Sequence, residues 1–532
     1  MGIYLNPNAD LFQMARNSRV YVDKSALLAY TNSVIRTEDR FICVSRPRRF
    51  GKTMTANMLA AYYSKNGSRQ LFDDLAIART SDYTEHLNEH NVIFINTKNF
   101  LPEDGNAERL IGSLSQAVCK EFRQAFPRIA AAEPSDLINT LLDCYTLTGE
   151  RFVFIFDEWD CLVRENPEAK KDLRTYLHFL ERLLKDRPYV DLAYITGILP
   201  VHKYGSQSAL KMFREFSMTT PRHLAEFVGF TDAEVQALCL RFNTDYAEMR
   251  RWYDGYRLPN FPHVYTPCSV VQAINSRVFE NYWTKTESFR ALSAWINMNF
   301  DGLRDSITAM LGDIPQKVNT LRFSNSFSEI YSRDDVLSLL IHLGYLGFDS
   351  ASSQVFIPNQ EIAAEFVTAI ESNNWADVAA NISASEKLLA DTWNKDSEAV
   401  AEAMDRTTTE SSILAYNDEN SLACRLSLAY YTARQYYTVI REMPAGKGFA
   451  DLVFIPRPNH PDKPALIIEL KWNKSAAGAI AQIKRRQYPD SLQAYKGSIL
   501  LVGLSYHKRA KKHSCIIEEA YCKANIMPNF KE

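Results

Sequence analysis

The chain has 532 residues and a formal net charge of −2, with 46% hydrophobic and 23% charged residues. This length predicts several domains, and no apolar run reaches the roughly 18 residues that a membrane span needs. The N-terminus lacks the basic start and apolar core of a secretory signal, and none of the nine cysteines forms a Cys-x-x-Cys pair. We therefore expect a cytoplasmic protein with reduced thiols, no zinc ribbon and no membrane partner.

Residues 1–220 alternate short apolar runs with helical patterns. The apolar runs predict buried strands, several of them apolar throughout, at 40–45, 91–96, 151–156 and 191–198. Helical spacing predicts the connecting helices at 52–64, 107–126 and 170–186. This order is typical of an α/β domain with a parallel sheet.

Residues 221–410 are predicted to be mainly helical, as a lid (221–290) and a connecting region (291–410). Thr231, followed three positions later by Glu234, predicts a helix with a capping box. In WYDGY, residues 252–256, we expect the aromatic side chains in the core and Asp254 and Gly255 in a turn. Residues 332–359 predict a helix followed by a short hairpin.

Residues 411–532 predict a second α/β domain. Its predicted helices lie at 418–437 and 477–488, and its predicted strands at 449–458, 463–472 and 497–506. Residues 421–532 carry 18 Lys and Arg against 8 Asp and Glu. This basic balance on an otherwise acidic chain indicates either a polyanionic partner or a solvated basic surface.

The stretch VSRPRRFGKT, residues 44–53, ends like a phosphate-binding loop, with Gly51, Lys52 and Thr53 in order. Such a loop aims backbone N–H groups at phosphates, and its lysine and hydroxyl serve the phosphates and Mg²⁺. The predicted strand before it and helix after it supply the required context. The usual motif has glycine at position 46, where this chain has arginine. The alternative is therefore a degenerate loop kept for structure, although Arg46, Arg48 and Arg49 would add positive charge for an anion.

An acidic pair, Asp157 and Glu158, follows the apolar run at 151–156. An acid at a strand end can hold Mg²⁺ together with Thr53, and the glutamate can polarise the attacking water. Thr196 is either a sensor of the γ-phosphate or an ordinary strand-end threonine. The residues predicted to bind the nucleotide or its metal are Arg48, Arg49, Phe50, Gly51, Lys52, Thr53 and Asp157.

A second group of candidate catalytic residues comprises Asp451, Glu469 and Lys471. Strand alternation puts Glu469 and Lys471 on one face, and a hairpin of the two strands would bring Asp451 to them. Two carboxylates and a lysine suit a divalent metal, Mg²⁺ or Mn²⁺ more than zinc, that activates water and neutralises a phosphate. The alternative is a hairpin in which Glu469 and Lys471 form a solvent-facing salt bridge.

Other polar residues surround this group in the sequence. Gln482 and Tyr488 can contact a phosphate or a metal-bound water, and Glu442 is either a third carboxylate or a surface residue. Two basic clusters, 484–486 and 508–512, can neutralise a phosphate backbone.

These motifs together resemble a bacterial family that joins an AAA-ATPase-like domain to a C-terminal PD-(D/E)XK nuclease-like domain. The matching stretches occur in order along nearly the whole chain and include YVDKSALL (21–28), SRPRRFGKT (45–53), FDEWD (156–160), TGILP (196–200), WYDGY (252–256), GKGFADLVFIPR (446–457), ALIIELKWNKSA (465–476) and QIKRRQY (482–488). On this resemblance Arg46 belongs to the family's own version of the loop.

The resemblance implies an AAA-like P-loop ATPase core at 1–220 and a nuclease-like domain at 411–532. Lys52 and Thr53 carry over as ATP and Mg²⁺ contacts, with Asp157 and Glu158 as the acidic pair. The nuclease residues carried over are Asp451, Glu469 and Lys471, with Gln482 as an accessory. Asp23 and Lys24 match a motif that lies either near the nucleotide or at a helix cap.

The leading hypothesis is an ATP-gated, Mg²⁺-dependent nuclease that acts on DNA more than RNA, in defence or mobile-element biology. A rival is a nucleotide-switched protein whose nuclease-like domain binds nucleic acid or a protein without cutting. A third reading is a DNA-translocating ATPase. The sequence assigns no arginine finger, and it leaves a homo-oligomer open.

Overall fold

The computed structural model describes residues 2–65, 67–127, 136–165, 170–201, 210–283, 288–298, 300–323, 330–371, 375–410, 419–445, 448–489 and 497–521. The chain divides into two compact units, Met1–Trp295 with Lys317–Glu365 and Ile296–Gln316 with Phe366–Glu532. The four-part division at 220, 290 and 410 stays a prediction. Within the described ranges, no helix combines the length and the apolar character needed to cross a membrane.

The helices are α1 Asp10–Arg16, α2 Leu27–Val34, α3 Lys52–Tyr63, α4 Tyr83–His86, α5 Ala107–Ala125, α6 Leu137–Thr148, α7 Cys161–Glu165, α8 Lys170–Leu184, α9 Asp232–Phe242, α10 Tyr246–Tyr253, α11 Pro267–Ser276, α12 Ser288–Ile296, α13 Leu303–Leu311, α14 Arg333–Leu343, α15 Gln360–Glu371, α16 Ala376–Trp393, α17 Ser397–Glu410, α18 Glu419–Ala429 and α19 Ala476–Arg485. The strands are β1 Phe41–Ser45, β2 Asn91–Asn96, β3 Phe152–Asp157, β4 Val190–Gly197, β5 Arg214–Phe216, β6 Phe230–Thr231, β7 Tyr256–Leu258, β8 Phe261–Tyr265, β9 Gln316–Lys317, β10 Gly347–Asp349, β11 Gln354–Phe356, β12 Tyr437–Ala445, β13 Gly448–Pro456, β14 Ala465–Trp472, β15 Ser498–His507 and β16 Lys512–Tyr521.

The first unit is built on a parallel sheet with the strand order β2-β3-β4-β1-β5. Every residue of β1, β3 and β4 is buried, which confirms the interpretation of their apolar runs as strands covered on both faces. Because the strands are parallel, their carboxyl ends meet at one edge. There Thr196 pairs in register with both Val44 and Asp157, and Asn96 pairs with Asp157.

Part of the segment predicted as a lid packs around an apolar core of its own, formed by α9, α10, α11 and the antiparallel sheet β6-β8-β7. The capping box is present, with Thr231 and Glu234 each accepting a backbone N–H. Tyr253 and Tyr256 are fully buried, which confirms the core position predicted for them. The hairpin β10–β11 follows α14, as predicted for residues 332–359.

The second unit contains a mixed sheet with the order β12-β13-β14-β15-β16. The pair β14–β15 is parallel and is connected through α19, whereas the other neighbours are antiparallel. Apolar side chains cover both faces, with α16, α17 and α18 on one side and α19 on the other. The predicted hairpin of the strands that carry Asp451 and Glu469 is therefore confirmed.

The helix predicted at 418–437 is wrong in its second half. Helix α18 ends at Ala429, a 3₁₀ turn follows at Tyr431–Gln435, and Tyr437 begins β12. The stretch from 430 to 438 is rich in tyrosine and threonine, which favour strands over helices.

Candidate functional site

The phosphate-binding loop connects β1 to α3 at the carboxyl edge of the parallel sheet. Gly51 precedes the helix with φ +90°, a left-handed conformation that favours glycine. A Cβ at this position would meet nothing within 4 Å, so the requirement comes from the backbone angle alone. The first N–H groups of α3 consequently have the geometry of an anion site.

Lys52 is buried, with 5% of its surface exposed. Its Nζ donates to the carbonyl oxygen of Pro47, 2.8 Å away. Burial lowers the pKa of this ammonium to about 8, although the nearby Glu158, Asp160 and Asp157 raise it. The side chain is thus a desolvated cation folded over the loop, where an anion would gain most from it.

Thr53 and Asp157 form the hydroxyl–carboxylate pair that the sequence predicts. Thr53 Oγ1 donates to Asp157 Oδ2 at 2.8 Å, and Asn96 Nδ2 donates to the same oxygen at 3.2 Å. Burial raises the pKa of Asp157 to about 6. These oxygens are hard ligands suited to Mg²⁺, and a divalent cation would relieve the cost of burying the carboxylate.

Glu158 takes part in a buried ion-pair network that the sequence reading missed. Arg164 pairs with Glu158, and its Nε lies 3.3 Å from Asp160 Oδ2. Asp160 Oδ2 also accepts the backbone N–H groups of Ile198 and Leu199, at 2.9 and 2.8 Å. The i, i+4 spacing of Asp160 and Arg164 is the signal that could have revealed this pair.

Arg46 does not face the phosphate site, so the expectation that it adds charge there is wrong. Its side chain is fully buried and its guanidinium donates to the carbonyl oxygens of Ser45 and Phe216, each at 2.9 Å. Burial lowers the pKa of this guanidinium to about 10. Arg46 therefore ties the start of the loop to β5, where Phe216 is the last residue.

The next loop residues are held by neighbouring segments. Arg49 has φ +69° and donates to the carbonyl oxygen of Tyr282. Pro47 packs so closely on Gly344 that a Cβ there would lie 2.6 Å from the proline Cβ. Phe50 stacks edge-on against Tyr256, with ring centroids 5.1 Å apart.

A cavity of about 460 Å³ opens beside the loop. Arg48, Arg49, Lys52, Thr53 and Glu158 line its polar end. Its apolar wall comes from the N-terminal segment, β6 and α11, and includes Phe12, Val20, Tyr21, Val22, Phe230 and Val271. A phosphate site that continues into an apolar cleft fits a nucleotide, whose base prefers such a surface.

The YVDKS motif is divided between the two roles left open for it. Asp23 accepts the backbone N–H groups of Ser25 and Ala76, at 2.8 and 2.7 Å, as a local cap. Lys24 lines the cavity, and its Nζ lies 2.7 Å from Glu234 Oε2. Thr196 donates its hydroxyl to the carbonyl oxygen of Val44 at 2.9 Å, which favours its reading as a strand-end threonine.

In the second unit, Asp451 and Glu469 come together on adjacent strands. Leu452 pairs with Ile468, so the two acids follow each other across the β13–β14 ladder. Asp451 Oδ2 accepts the backbone N–H of Leu470 at 2.6 Å, which brings this carboxylate next to Glu469.

Glu469 is the most buried of the candidate nuclease residues, with 1% of its surface exposed. Oε1 accepts Lys471 Nζ at 2.8 Å and also the side-chain amide of Gln482, while Oε2 is buried without a hydrogen-bond partner. Burial, and then the charge of Asp451, raise the pKa of Glu469 to about 7. The predicted salt bridge between Glu469 and Lys471 is present, but its predicted solvent-facing position is wrong for Glu469, whose side chain is buried.

The surrounding residues differ in how closely they approach this pair. Gln482 bridges Glu469 to the buried Tyr488, whose hydroxyl donates to the carbonyl oxygen of Phe449 at 2.6 Å. Glu442 is exposed on β12, between the residues that pair with Leu452 and Ala450. Its place as a third carboxylate stays a prediction.

The residues present fit a divalent metal at this position. The orphaned Oε2 of Glu469 is an acceptor that a cation would satisfy, and the carboxylate of Asp451 lies beside it. In the part of the chain that the structure describes, no three His, Cys, Asp or Glu side chains form a metal-binding group. Asp451 and Glu469 would therefore hold the metal as two protein ligands, as is common for Mg²⁺ sites that keep several waters.

Two family models match the chain. Residues 9–206 match a predicted AAA-ATPase family, and residues 418–516 match the PD-(D/E)XK nuclease superfamily. The curated relative, described as an uncharacterized protein in the vnfD 5′ region of Azotobacter chroococcum mcd 1, is 26% identical over 250 residues. That match covers 46% of either protein, so the chain spans about half the length of this relative.

Weak similarities to solved structures also occur. Cdc6p from Pyrobaculum aerophilum is 12% identical, with 69% of this chain and 99% of that chain covered and a TM-score of 0.25. The ORC1 protein of Aeropyrum pernix, solved in complex with DNA, is 13% identical, with 71% and 99% covered and a TM-score of 0.26.

Proposed function

We propose that this chain, which joins an AAA-ATPase-like domain to a PD-(D/E)XK nuclease superfamily domain, is an ATP-gated, Mg²⁺-dependent nuclease that acts on DNA. The observation that carries the proposal is the presence of two separate groups of buried ionisable residues, one in each unit. Each group is assembled from different strands and contains a carboxylate whose pKa burial raises into the range of 6 to 7. Such perturbed groups cluster at functional sites.

In the ATPase-like unit, Lys52 would neutralise the β- and γ-phosphates, and the first N–H groups of α3 would bind phosphate oxygens. Thr53 and Asp157 would hold the Mg²⁺ of the nucleotide. Glu158 would orient and polarise the attacking water, once it is free of Arg164. The apolar wall of the cavity would accept the base.

In the nuclease-like unit, Asp451 and Glu469 would hold Mg²⁺ or Mn²⁺, which when bound supplies a water of lowered pKa and charge for the scissile phosphate. Lys471 lies 2.8 Å from Glu469 Oε1. When Glu469 turns to the cation, Lys471 would be released to orient the attacking water as an ammonium. After losing its own proton to solvent, it would instead take the proton of that water as a neutral amine. Gln482 would fix the orientation of Glu469.

The test is a cleavage assay on linear and circular duplex DNA, single-stranded DNA and RNA, with and without ATP and Mg²⁺. We expect the wild type to cut DNA only with a divalent metal and faster with ATP. Lys52→Ala should lose the ATP effect alone, and Glu469→Ala should lose all cleavage. Cleavage that survives both Asp451→Ala and Glu469→Ala would contradict the site assignment.

The second candidate function is a nucleotide-switched module that binds nucleic acid without cutting it. One observation favours a nucleotide switch over rapid hydrolysis, because Lys52 and Glu158 line the cavity and are each engaged with another group of the protein. DNA binding that responds to ATP, without cleavage in Mg²⁺ or Mn²⁺, would select this function. ATP-driven movement along DNA would select a translocating motor instead.

We place the protein in the cytoplasm, because the described cysteines are free thiols and most of them are buried.

A further inference from the structure

The turn between β15 and β16 carries the densest run of unpaired positive charge in the described parts of the second unit. Lys508, Arg509, Lys511 and Lys512 are all exposed, and we call these four residues the hairpin tip. Residues 497–517 contain no acidic residue. Within the described ranges, none of the four forms an ion pair, so their charge is available to a partner.

In the basic cluster at the end of α19, two side chains already bond to other groups of the protein. Lys484 pairs with Glu518, and Arg486 donates to the hydroxyl of Tyr488 at 3.3 Å. These two cations already have acceptors within the protein. Of the two basic clusters in this unit, the hairpin tip therefore holds more cations without an acceptor, because in the described part of the other cluster Arg485 alone lacks one.

The sheet register places the hairpin tip at the catalytic end of the sheet. Strands β14 and β15 are parallel, with Glu469 paired to Gly503 and Lys471 to Ser505. The chain then continues in the same direction from Ser505 to Lys508. The tip therefore projects beyond the strand end that carries the candidate nuclease residues.

Hydrogen bonds fix the base of the tip to the segment after β14. The backbone N–H of Asn473 donates to the carbonyl oxygen of Tyr506 at 2.9 Å, and Asn473 Oδ1 accepts the backbone N–H of Lys508 at 2.8 Å. Ser505 donates its hydroxyl to the carbonyl oxygen of Lys474. The distance from the candidate site to the tip is thus set by folded structure.

That distance can be expressed in nucleotides. The five residues from Gly503 to Lys508, at roughly 3.3 Å each, extend over roughly 17 Å. Phosphates along one DNA strand advance by about 3.4 Å of helix axis. A duplex whose axis runs along β15 consequently brings to the tip phosphates about five nucleotides away from a phosphate bound at Glu469.

We propose that the hairpin tip is a phosphate clamp for duplex DNA, which contacts the backbone about five nucleotides from the bond that the Asp451–Glu469 site would cut. The clamp rests on the proposed nuclease function for its position relative to cleavage, and on charge alone for its binding. Lysine and arginine on phosphates position a duplex without reading its sequence. The tip would thus add affinity that is independent of sequence and sensitive to salt.

The binding test uses the full chain and a labelled 30-base-pair duplex in EDTA, with affinity measured by fluorescence anisotropy across a range of salt concentrations. Each phosphate contact contributes about 0.9 to the slope of log affinity against log salt concentration. The double variant Lys508→Ala/Arg509→Ala should reduce the magnitude of this slope by about 2, and neutralising all four tip residues should reduce it by up to about 4. Lys120→Ala/Lys211→Ala removes the same charge from exposed lysines of the other unit and should leave the slope unchanged.

A second measurement tests the position of the clamp. On duplexes shortened step by step on one side of the cleavage site, wild-type cleavage at low enzyme concentration should fall once fewer than about five base pairs remain there. The tip variant should be insensitive to this shortening. A slope that changes equally in tip and control variants, or no DNA binding by the wild type, would overturn the clamp.

The outcomes separate the clamp from the proposed function. A tip-dependent slope without cleavage in any metal would refute the nuclease and keep the tip as a DNA-binding element. Cleavage with a slope unaffected by the tip would keep the nuclease and refute the clamp. Tip-dependent binding of duplex RNA but not of DNA would overturn the assignment to DNA.

Discussion

Replacing Glu469 with glutamine removes a candidate metal ligand. In the metal-free protein, the stability of this variant relative to the wild type should be higher at alkaline pH than at acidic pH. Glu469 is almost fully buried, one of its oxygens has no hydrogen-bond partner, and its pKa is raised from 4.5 to about 7. The folded state therefore binds a proton more tightly than the unfolded state does. Stability from this proton is fully present below pH 4.5 and is lost as the pH rises through 7.

The two pKa values set the size of the effect. The proton on Glu469 contributes about 2.5 kcal/mol to stability at pH 5 and about 0.1 kcal/mol at pH 8. Glutamine does not titrate, so the advantage of the wild type over Glu469→Gln should shrink by about 2.4 kcal/mol between these pH values. For a unit of this size, that corresponds to roughly 5–10 °C in the melting temperature.

The assay is thermal unfolding of the full chain in EDTA at pH 5 and pH 8, for the wild type and Glu469→Gln. The difference between the two proteins at each pH cancels other titrations, and pH-independent costs of the substitution, such as altered packing, cancel between the two pH values. The charge of Lys471 needs no separate correction, because it already contributes to the pKa of Glu469. Glu442→Gln, an exposed carboxylate on the neighbouring strand β12, is the matched control and should show no such trend. A difference that is constant with pH, or that grows in favour of the wild type at pH 8, would refute the reasoning.

Three further predictions concern the ATPase-like unit. Lys52 has a pKa of about 8, so ATP binding at pH 8 should be accompanied by the uptake of about half a proton. Calorimetry in buffers of different ionisation enthalpy measures this uptake, and Lys52→Met should abolish it. Arg164→Ala removes the cation that pairs with Glu158 and Asp160, and should lower the free energy of unfolding in denaturant by about 3 kcal/mol. Arg164→Lys should recover part of this loss, and unchanged stability would contradict the ion-pair network. Arg46→Gly restores the usual motif yet should lower stability by about 2–4 kcal/mol, because the carbonyl oxygen of Phe216 loses its donor and a void remains; a more stable variant would refute this reading of the loop.

Local signals in the sequence were sufficient for most of the elements that position the two sites. Apolar runs without alternation found β1 to β4, and the Thr231–Glu234 spacing found the start of α9. The edge strands β12 and β16 were missed, because partly exposed edge strands lack a strong pattern. Each of them pairs with a strand next to it in sequence, β12 with β13 and β16 with β15, so hairpin pairing was the local signal that was overlooked.

The candidate site residues likewise fall into those that local motifs predict and those that depend on tertiary contacts. Lys52, Thr53 and Asp157 were predicted from motifs, since the chemistry of phosphate and Mg²⁺ requires those residue types in that order. The buried conformation of the Arg46 side chain could not be predicted, because the carbonyl oxygen of Phe216 that accepts its hydrogen bond lies 170 residues away in the sequence. The pairing of Arg164 with Glu158 also depends on tertiary packing, whereas the i, i+4 spacing of Arg164 from Asp160 is a local signal for its other partner.

The anchored side chains of the phosphate-binding loop affect the entropy of ligand binding. Ordering a backbone costs about 1–2 kcal/mol per residue, a cost that a loose glycine-led loop would meet when the phosphates arrive. Here Arg46, Pro47, Arg49 and Phe50 are each held by a neighbouring segment of the protein. The loop meets this cost during folding, so its arginine-rich sequence provides rigidity in place of the adaptability that glycine would give.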